Sequence, residues 1–321
     1  MTTKTFLAAC LVGLATLAAP AAAQNYPSHN IKFVVPFQAG SATDTLARIV
    51  GEHVSRSLGR PVIVENMAGA SGVLAAQNVA RAEPDGHTVL ISTNTTHGAN
   101  QSLLKSVPYD AVNGFEHLTK LGTITLALIA NPAVPANDVK ELIAYAKANP
   151  GKLTFGSGSS SSRIAGEMLK SLGGIDIVHV PYRSNPQAVT DILGGQIALF
   201  FADISTTLPQ VKAGKVKGFA VSTAQRSKLA PELPTMVEAG VPGYDLAAWF
   251  AAFVPANTPK PVVDKLRDAL VTAVSDNAVQ ERLLAAGIEP ESSTSEALKA
   301  FVGTEIKKWA DIVKAAGIQP E

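Results

Sequence analysis

From Ile31 onward, short apolar runs rich in β-branched residues alternate with stretches whose apolar positions recur every third or fourth residue. The first pattern predicts buried strands and the second amphipathic helices. Strands are expected over residues 31–35, 62–65, 89–92, 153–156, 177–180, 197–201 and 216–221. A helix over 44–58 puts Leu46, Ile49, Val50, Val54 and Leu58 on one face and stops at Gly59. Another over 163–172 buries Ile164, Met168 and Leu169 and ends at Gly173-Gly174. Strands alternating with helices are the mark of parallel sheets joined by crossover helices, so the expected fold class is α/β.

Two longer apolar runs, TITLALIA at 123–130 and LAAWFAAFV at 246–254, stand outside this rhythm. If each crosses between domains, the chain leaves a first domain, builds a second and returns. Domain one then comprises 24–124 and 247–321, and domain two 125–246. From Pro261 the pattern is helical, with apolar Val262, Val263, Leu266, Leu270 and Val274, then segments at 279–286 and 295–316. This terminal block is expected to pack back onto the first domain.

Two distant segments share one layout, an apolar strand, a Gly/Ser loop and a helix start: IKFVVPFQAGSATD from Ile31 and KLTFGSGSSSSRIAGE from Lys152. A helix N-terminus leaves its first N–H groups unpaired and carries partial positive charge, so a carboxylate there is favoured by roughly 0.3–1 kcal/mol. Two such ends predict a two-jawed anion clamp. In open α/β sheets ligands sit beyond the carboxyl ends of strands. That rule adds the run at 93–97 with Thr96 and His97, then Asp203, and Ser222-Thr223.

Each of these residues also has a structural reading. The serines at 159–162 form either a flexible loop or an anion nest, and the flanking strand and helix favour the nest. Arg163 either pairs with Glu167 one turn on or meets a ligand carboxylate, for which a guanidinium is well shaped. Asp44 reads as a structural or water-ordering residue, since it would repel an acid. His97 could donate to a ligand oxygen, whereas His179, inside a strand, reads as core. No histidine pair has helical metal-ligand spacing, so no metal site and no cofactor are expected. Trp249 and Phe250 are either core or a cleft wall against the ligand's carbon skeleton. Ser102-x-x-Lys105 and Ser275-Asp276-Asn277 are like elements of penicillin-binding enzymes, but the third element, Lys-Thr-Gly, is absent, as is a Gly-x-Ser-x-Gly elbow.

The start, MTTKTFLAACLVGLATLAAPAAAQ, reads as a secretory signal cleaved after Ala23. Leu7-Ala8-Ala9-Cys10 imitates a lipoprotein box, but cutting there would leave almost no apolar region ahead of Cys10. The only cysteine leaves with the signal, which excludes disulfides, thiolate catalysis and Cys-based metal sites. Lys4 leaves too, and basic and acidic side chains then balance, which argues against nucleic acid or an acidic membrane surface as partner. No later stretch approaches the ~18 apolar residues of a membrane span. A soluble exported protein is expected.

Together these stretches resemble the Bug (TctC-like) solute-binding proteins of tripartite tricarboxylate transporters. The resemblance rests on VVPFQAGSATDTLAR, VIVENMAGASG, AEPDGHTVL, LLKSVPYD, NPGKLTFGSGSSSS, VHVPYRSNPQAVTDILGGQIALFF, LPTMVEAGVPGY and KKWADIVKAAGI, in order along the mature chain. It implies a two-domain Venus-flytrap in the periplasm that closes on a small carboxylate and delivers it to membrane permease subunits, acting as a monomer. Carried over by residue, it implies ligand contacts from Phe37, Gln38, Gly40, Ser41, Thr43 and Asp44 in one jaw. In the other it implies Ser157, Ser159, Ser160, Ser161 and Ser162. The chain departs from the common pattern at Ser41, often Gly, at Arg163, often His, and in a second loop about two residues shorter. Two rivals stay open: a sensor feeding a membrane kinase, and a periplasmic hydrolase.

Overall fold

The computed structural model describes residues 26–320, so the signal segment and its cleavage point lie outside the described residues. The first segment runs β1 (Ile31–Val35), α1 (Ala42–Leu58), β2 (Val62–Asn66), α2 (Val73–Ala80) and β3 (Thr88–Thr93). A π-helical turn (Thr95–Ala99) and a one-turn helix α3 (Asn100–Leu103) follow, and then the long strand β4 (Phe115–Ala130). The second segment holds α4 (Val139–Ala148), β5 (Thr154–Ser157), α5 (Ser160–Gly173), β6 (Val178–Pro181), α6 (Asn185–Leu193), β7 (Leu199–Asp203), α7 (Ile204–Lys212) and β8 (Lys217–Val221). The chain returns through β9 (Ala247–Pro255) and ends with α8 (Lys260–Ser275), α9 (Asn277–Ala285), β10 (Ile288–Pro290) and α10 (Ser295–Ala315). Among the described residues no helix is long and apolar enough to cross a membrane.

The strands form two lobes. In the first, β2, β1 and β3 are parallel; in the second, β6, β5 and β7 are. The expectation of purely parallel sheets fails at the strands that join them. β9 lies antiparallel to both β3 and β4, and β4 lies antiparallel to β7 and β8. The physical reason is the path: β4 leaves the first lobe and β9 comes back, so the two must run in opposite directions. Along β4 the partner changes between Thr125, opposite Ala247 of β9, and Leu126, opposite Asp203 of β7.

Side chains alternate faces along these strands, and the packing follows. Ala127 and Ile129 join one core cluster, Leu126, Leu128 and Ala130 another. On β9, Ala248, Phe250, Ala252 and Val254 take one face and Trp249, Ala251 and Phe253 the other. Two adjacent residues cannot share a side of a sheet, so Trp249 and Phe250 diverge.

The terminal helix does not pack on the first lobe alone. Leu298 and Val302 of α10 sit with first-lobe residues of β1 and β3, whereas Trp309 and Val313 sit in the cluster that holds α5 and β7. The helix is therefore shared by both lobes, on the side away from Phe250. Glu305 is buried between those halves, and a single carboxylate oxygen accepts both the Trp249 indole N–H at 2.7 Å and the Trp309 indole N–H at 2.9 Å.

Removing that acceptor strands two buried donors, each costing ~1–3 kcal/mol. Glu305→Ala should lower stability by roughly 2–4 kcal/mol in urea unfolding. Glu305→Gln, which keeps an acceptor, should lose clearly less. Equal midpoints for Glu305→Ala and the parent would contradict the shared-acceptor arrangement.

Candidate functional site

Ser41 caps α1 by accepting the Asp44 N–H at 3.2 Å, and Ser159 and Ser162 form a reciprocal capping box at the start of α5. Both loops therefore enter their helices with an extended residue that aims the first turn back over the strand ends. Helix starts from opposite lobes meet there, around two adjoining chambers that share Phe37, Gly158 and Ser159.

The inner chamber is small, about 30 Å³, and is lined by Ser41, Ala42, Thr43, Thr93, Asn94, Ser161, Ser184, Asn185, Asp203, Ala248 and Phe250. Several early N–H groups are already used: Asp44 N–H by Ser41, Ser162 N–H by Ser159 Oγ, and Ser160 N–H by Thr95 Oγ1 at 3.3 Å. Those of Ala42, Thr43 and Ser161 belong to residues that line the chamber, and a helix supplies them no intrahelical acceptor. The lobes also touch directly: Asn94 and Ser161 exchange hydrogen bonds, Asn94 Nδ2 donating at 2.9 Å and Ser161 Oγ at 3.2 Å. Ser184 Oγ is buried with no partner. Asp203 accepts from Asn185 Nδ2 at 3.0 Å; burial pushes its carboxyl up, and that one hydrogen bond offsets only part of the effect.

The outer chamber is larger, about 340 Å³. Ser157, Ser160, Thr95, Arg163, His179, Tyr182 and Arg183 line it, with Leu103, Leu104 and Pro181 as apolar wall. His179 Nε2 meets Ser157 Oγ at 2.6 Å, and Tyr182 donates to Asp191 at 2.7 Å.

Of the expected contact residues, Phe37, Ser41, Thr43, Ser157, Ser159, Ser160, Ser161, Arg163 and Asp203 line one chamber or both. The others are not among the residues that line either chamber. Trp249 faces Glu305 and stacks edge-on with Phe301, on the opposite side of β9 from Phe250, which lines the inner chamber. His97 is wholly buried and stacked on Phe253 with centroids 3.9 Å apart. Burial, and then neighbouring His117, hold it well below the usual histidine range, so it is a neutral core residue. Thr96 is tied to Ser92 and His97, and the Ser162 hydroxyl is spent on the Gly158 and Ser159 N–H groups. Gln38 gives its carbonyl to the Ser41 N–H.

Gly40 and Asp44 bind each other. The Gly40 N–H donates to Asp44 at 3.0 Å, and the same carboxylate takes Arg48 and Asn66. Burial works to raise Asp44, but those hydrogen bonds and the Arg48 charge outweigh it and hold the carboxyl below its ordinary value. Gly40 is required by its φ of +81°, not by close approach, because a Cβ there would meet nothing within 4 Å. Close approach occurs at Gly158, where a Cβ would stand 2.2 Å from Asn185 N and from Ser184 C.

Asn94, Thr95, His179 and the whole run Tyr182 to Asn185 also line the site. For the last of these a signal existed: Ser184 before Asn185-Pro186 is a helix start directly after a strand, a third copy of the clamp layout. His179 reads as core from sequence because it lies on a strand, but that strand is at the sheet edge, beside the chamber. Away from the cleft, His29, Asp85 and His87 converge within 4.8 Å. The two imidazoles there are stacked in near-parallel planes 3.7 Å apart, and His87 Nε2 already accepts the Ser28 N–H, so both rings cannot direct in-plane lone pairs at one ion.

A family model described as the tripartite tricarboxylate transporter family receptor matches residues 46–318. The chain belongs to this family. The periplasmic binding protein BugD matches with a TM-score of 0.88 and 35% identity, over 92% of this chain and 100% of that one. Rpa4515 of R. palustris, solved with adipate, gives 0.89 and 30%, over 92% and 100%. MatC from Rhodopseudomonas palustris, solved with malate, gives 0.85 and 32%, over 90% and 100%. This receptor is accordingly a two-lobed α/β binding protein of the TctC/Bug type, a class of solute-binding proteins and not of enzymes, and the hydrolase reading falls.

In this receptor Gly158→Ala should force the α5 and α6 starts apart and abolish ligand binding, while Gly40→Ala should cost only backbone strain of about 1 kcal/mol. Calorimetry together with melting curves separates the two. The lowered Asp44 carboxyl stabilises the fold above its unfolded pKa, and that contribution disappears as pH falls through the folded value. Asp44→Asn should therefore lower stability by about 1–2 kcal/mol at neutral pH, and the gap should close in strong acid. A gap of constant size across that range would show that the charge of Asp44 is irrelevant.

Proposed function

We propose that the receptor is exported through its signal segment to the periplasm, closes its lobes on a small organic acid and hands it, as a monomer, to the permease of a tripartite tricarboxylate transporter. The observation that carries this reading is the meeting of two helix starts from opposite lobes at one inner chamber. Only the closed state brings both sets of N–H and hydroxyl donors to one carboxylate, so binding favours closure. Adipate on Rpa4515 and malate on MatC support an acid as ligand.

In this reading domain one is residues 24–124 with 247–321 and domain two is 125–246, and the hinge lies where β4 changes partners and β9 begins. The carboxylate sits against Ser41, Thr43, Ser159 and Ser161, with Phe37 and Phe250 against its carbon skeleton. Asp203, a carboxyl raised by burial, faces a hydroxyl, an ammonium or a water and not the ligand's anionic oxygens.

Calorimetry of the mature chain against aliphatic and aromatic acids and their matched neutral amides tests the reading. Acids should bind and amides should not, and a saturating acid at 100 times its Kd should add about 2.7 kcal/mol of stability. Equal binding of an acid and its amide would sink it.

A further inference from the structure

Asp203 is the one ionisable side chain among the described residues that line the inner chamber. It stands at the N-cap of α7, where an aspartate ordinarily accepts a first-turn N–H, yet its side chain makes no such bond. Its backbone carbonyl takes the Thr206 and Thr207 hydroxyls, at 2.9 and 3.1 Å. The carboxylate is fixed from the other side by Asn185. Asn185 Oδ1 accepts the Gly158 N–H at 3.2 Å, so its Nδ2 must donate, and it does so to Asp203 Oδ2 at 3.0 Å. That bond leaves Oδ1 uncommitted. The elements packed on β7 bring no countercharge. Neither β5 nor the stretch of β4 that pairs with β7 carries a charged residue. On α5, Arg163 lines the outer chamber and not the inner, and Glu167 pairs with Lys170. Asp191 of α6 takes the Tyr182 hydroxyl, and Lys212 lies in the last turn of α7. Across the cleft, Arg48 is paired with Asp44.

We infer that the receptor binds a proton together with its acid: Asp203 is neutralised when a carboxylate that brings no ammonium enters the inner chamber, and the proton is a co-ligand of the site. This rests on the reading of the inner chamber as the carboxylate's seat. Two carboxylates that share a small site cannot both stay ionised. A chamber of about 30 Å³ has no room for a shell of water between them, and no cationic side chain lines it to hold both. The ligand's carboxylate has the starts of α1 and α5 to stabilise its charge, whereas Asp203 has one amide, so the proton goes to Asp203. It comes from solvent and adds to Oδ1, because Asn185 holds Oδ2 as an acceptor. The new O–H donates to the hydroxyl or water that Asp203 faces. One negative charge enters and one is neutralised, so the net charge of the site does not change. Because the bound anion raises the Asp203 carboxyl further, affinity is greatest where that carboxyl is protonated. It falls as pH rises between the values of the free and the liganded receptor.

The test is calorimetry of the mature chain with malate, succinate, adipate and benzoate in paired buffers of different ionisation enthalpy, from about pH 6.5 to about pH 9, where each acid is ionised. The acid that binds most tightly at the lowest pH is followed across the range. The parent should take up close to one proton per ligand at the steepest point, and its Kd should rise about five- to tenfold per pH unit there. Asp203→Asn keeps an acceptor for Asn185 and cannot ionise. It should bind the same acid without proton uptake, with a Kd that varies less than threefold over the range. At the alkaline end it should bind tenfold or more tightly than the parent, a gain that a merely structural carboxyl would not give. The proton count in the parent stands as a test by itself should the variant fail to fold. No uptake in the parent, uptake that survives in Asp203→Asn and so belongs to another group such as His179, or a variant weakened equally at every pH would each overturn the inference while leaving carboxylate binding intact. If none of the four acids binds the parent, the carboxylate reading fails, and this inference with it.

Discussion

Two helix starts facing each other across a cleft form an electrostatic problem that the protein alone solves only in part. Each brings partial positive charge and N–H groups without intrahelical acceptors. Serine caps and the Thr95 hydroxyl absorb some of these donors, Thr95 by reaching between lobes, and the Asn94–Ser161 side-chain pair adds a second contact between them. What is left over belongs to residues lining a small chamber of about 30 Å³. The remaining features of the site follow from the need to bring those two starts together and hold them.

Holding them is the work of the opposite side of the sheet. β4 runs through both lobes, β9 pairs with its first-lobe half, and α10 packs beside them with one half in each core. Glu305 connects these parts because both indoles, one on β9 and one on α10, reach the same oxygen. Gly98, at the end of the π-turn that carries Thr95, packs so closely that a Cβ there would stand 3.0 Å from Trp309 Cδ1. A continuous chain of contacts therefore runs from the terminal helix to a cleft-lining hydroxyl. A displacement of α10 would reach the inter-lobe contact of Thr95 with Ser160.

Charge is divided unevenly along the cleft. The inner end uses neutral donors and one carboxyl that burial drives toward its neutral form. The outer end carries the cationic side chains Arg163 and Arg183. At the outer end a side chain can be substituted with the helix starts left in place.

Much of this was legible in the sequence, for a physical reason: strand alternation, helix periodicity and capping are local. The strand and helix series, the stops at Gly59 and Gly174 and the two clamp segments follow from residues within a few positions of one another. The partner change of β4 falls between Thr125 and Leu126, beside the crossing inferred from the apolar run TITLALIA. What only the tertiary structure decided is which side each residue faces and what it meets there. Phe250 and not Trp249 lines the cleft because β9 alternates, and nothing local says which side is the cleft. Asp44, Gly40, Thr96, His97 and Ser162 carry the right chemistry at the right end of the right element. Yet each is directed into a contact that its neighbours in space fix, through Arg48 and Asn66, Ser92, Phe253 or the Gly158 N–H. The terminal helix reads as an amphipathic cylinder, and only the meeting of Trp249 and Trp309 at Glu305, 56 and 4 positions away in the chain, makes it common to both lobes.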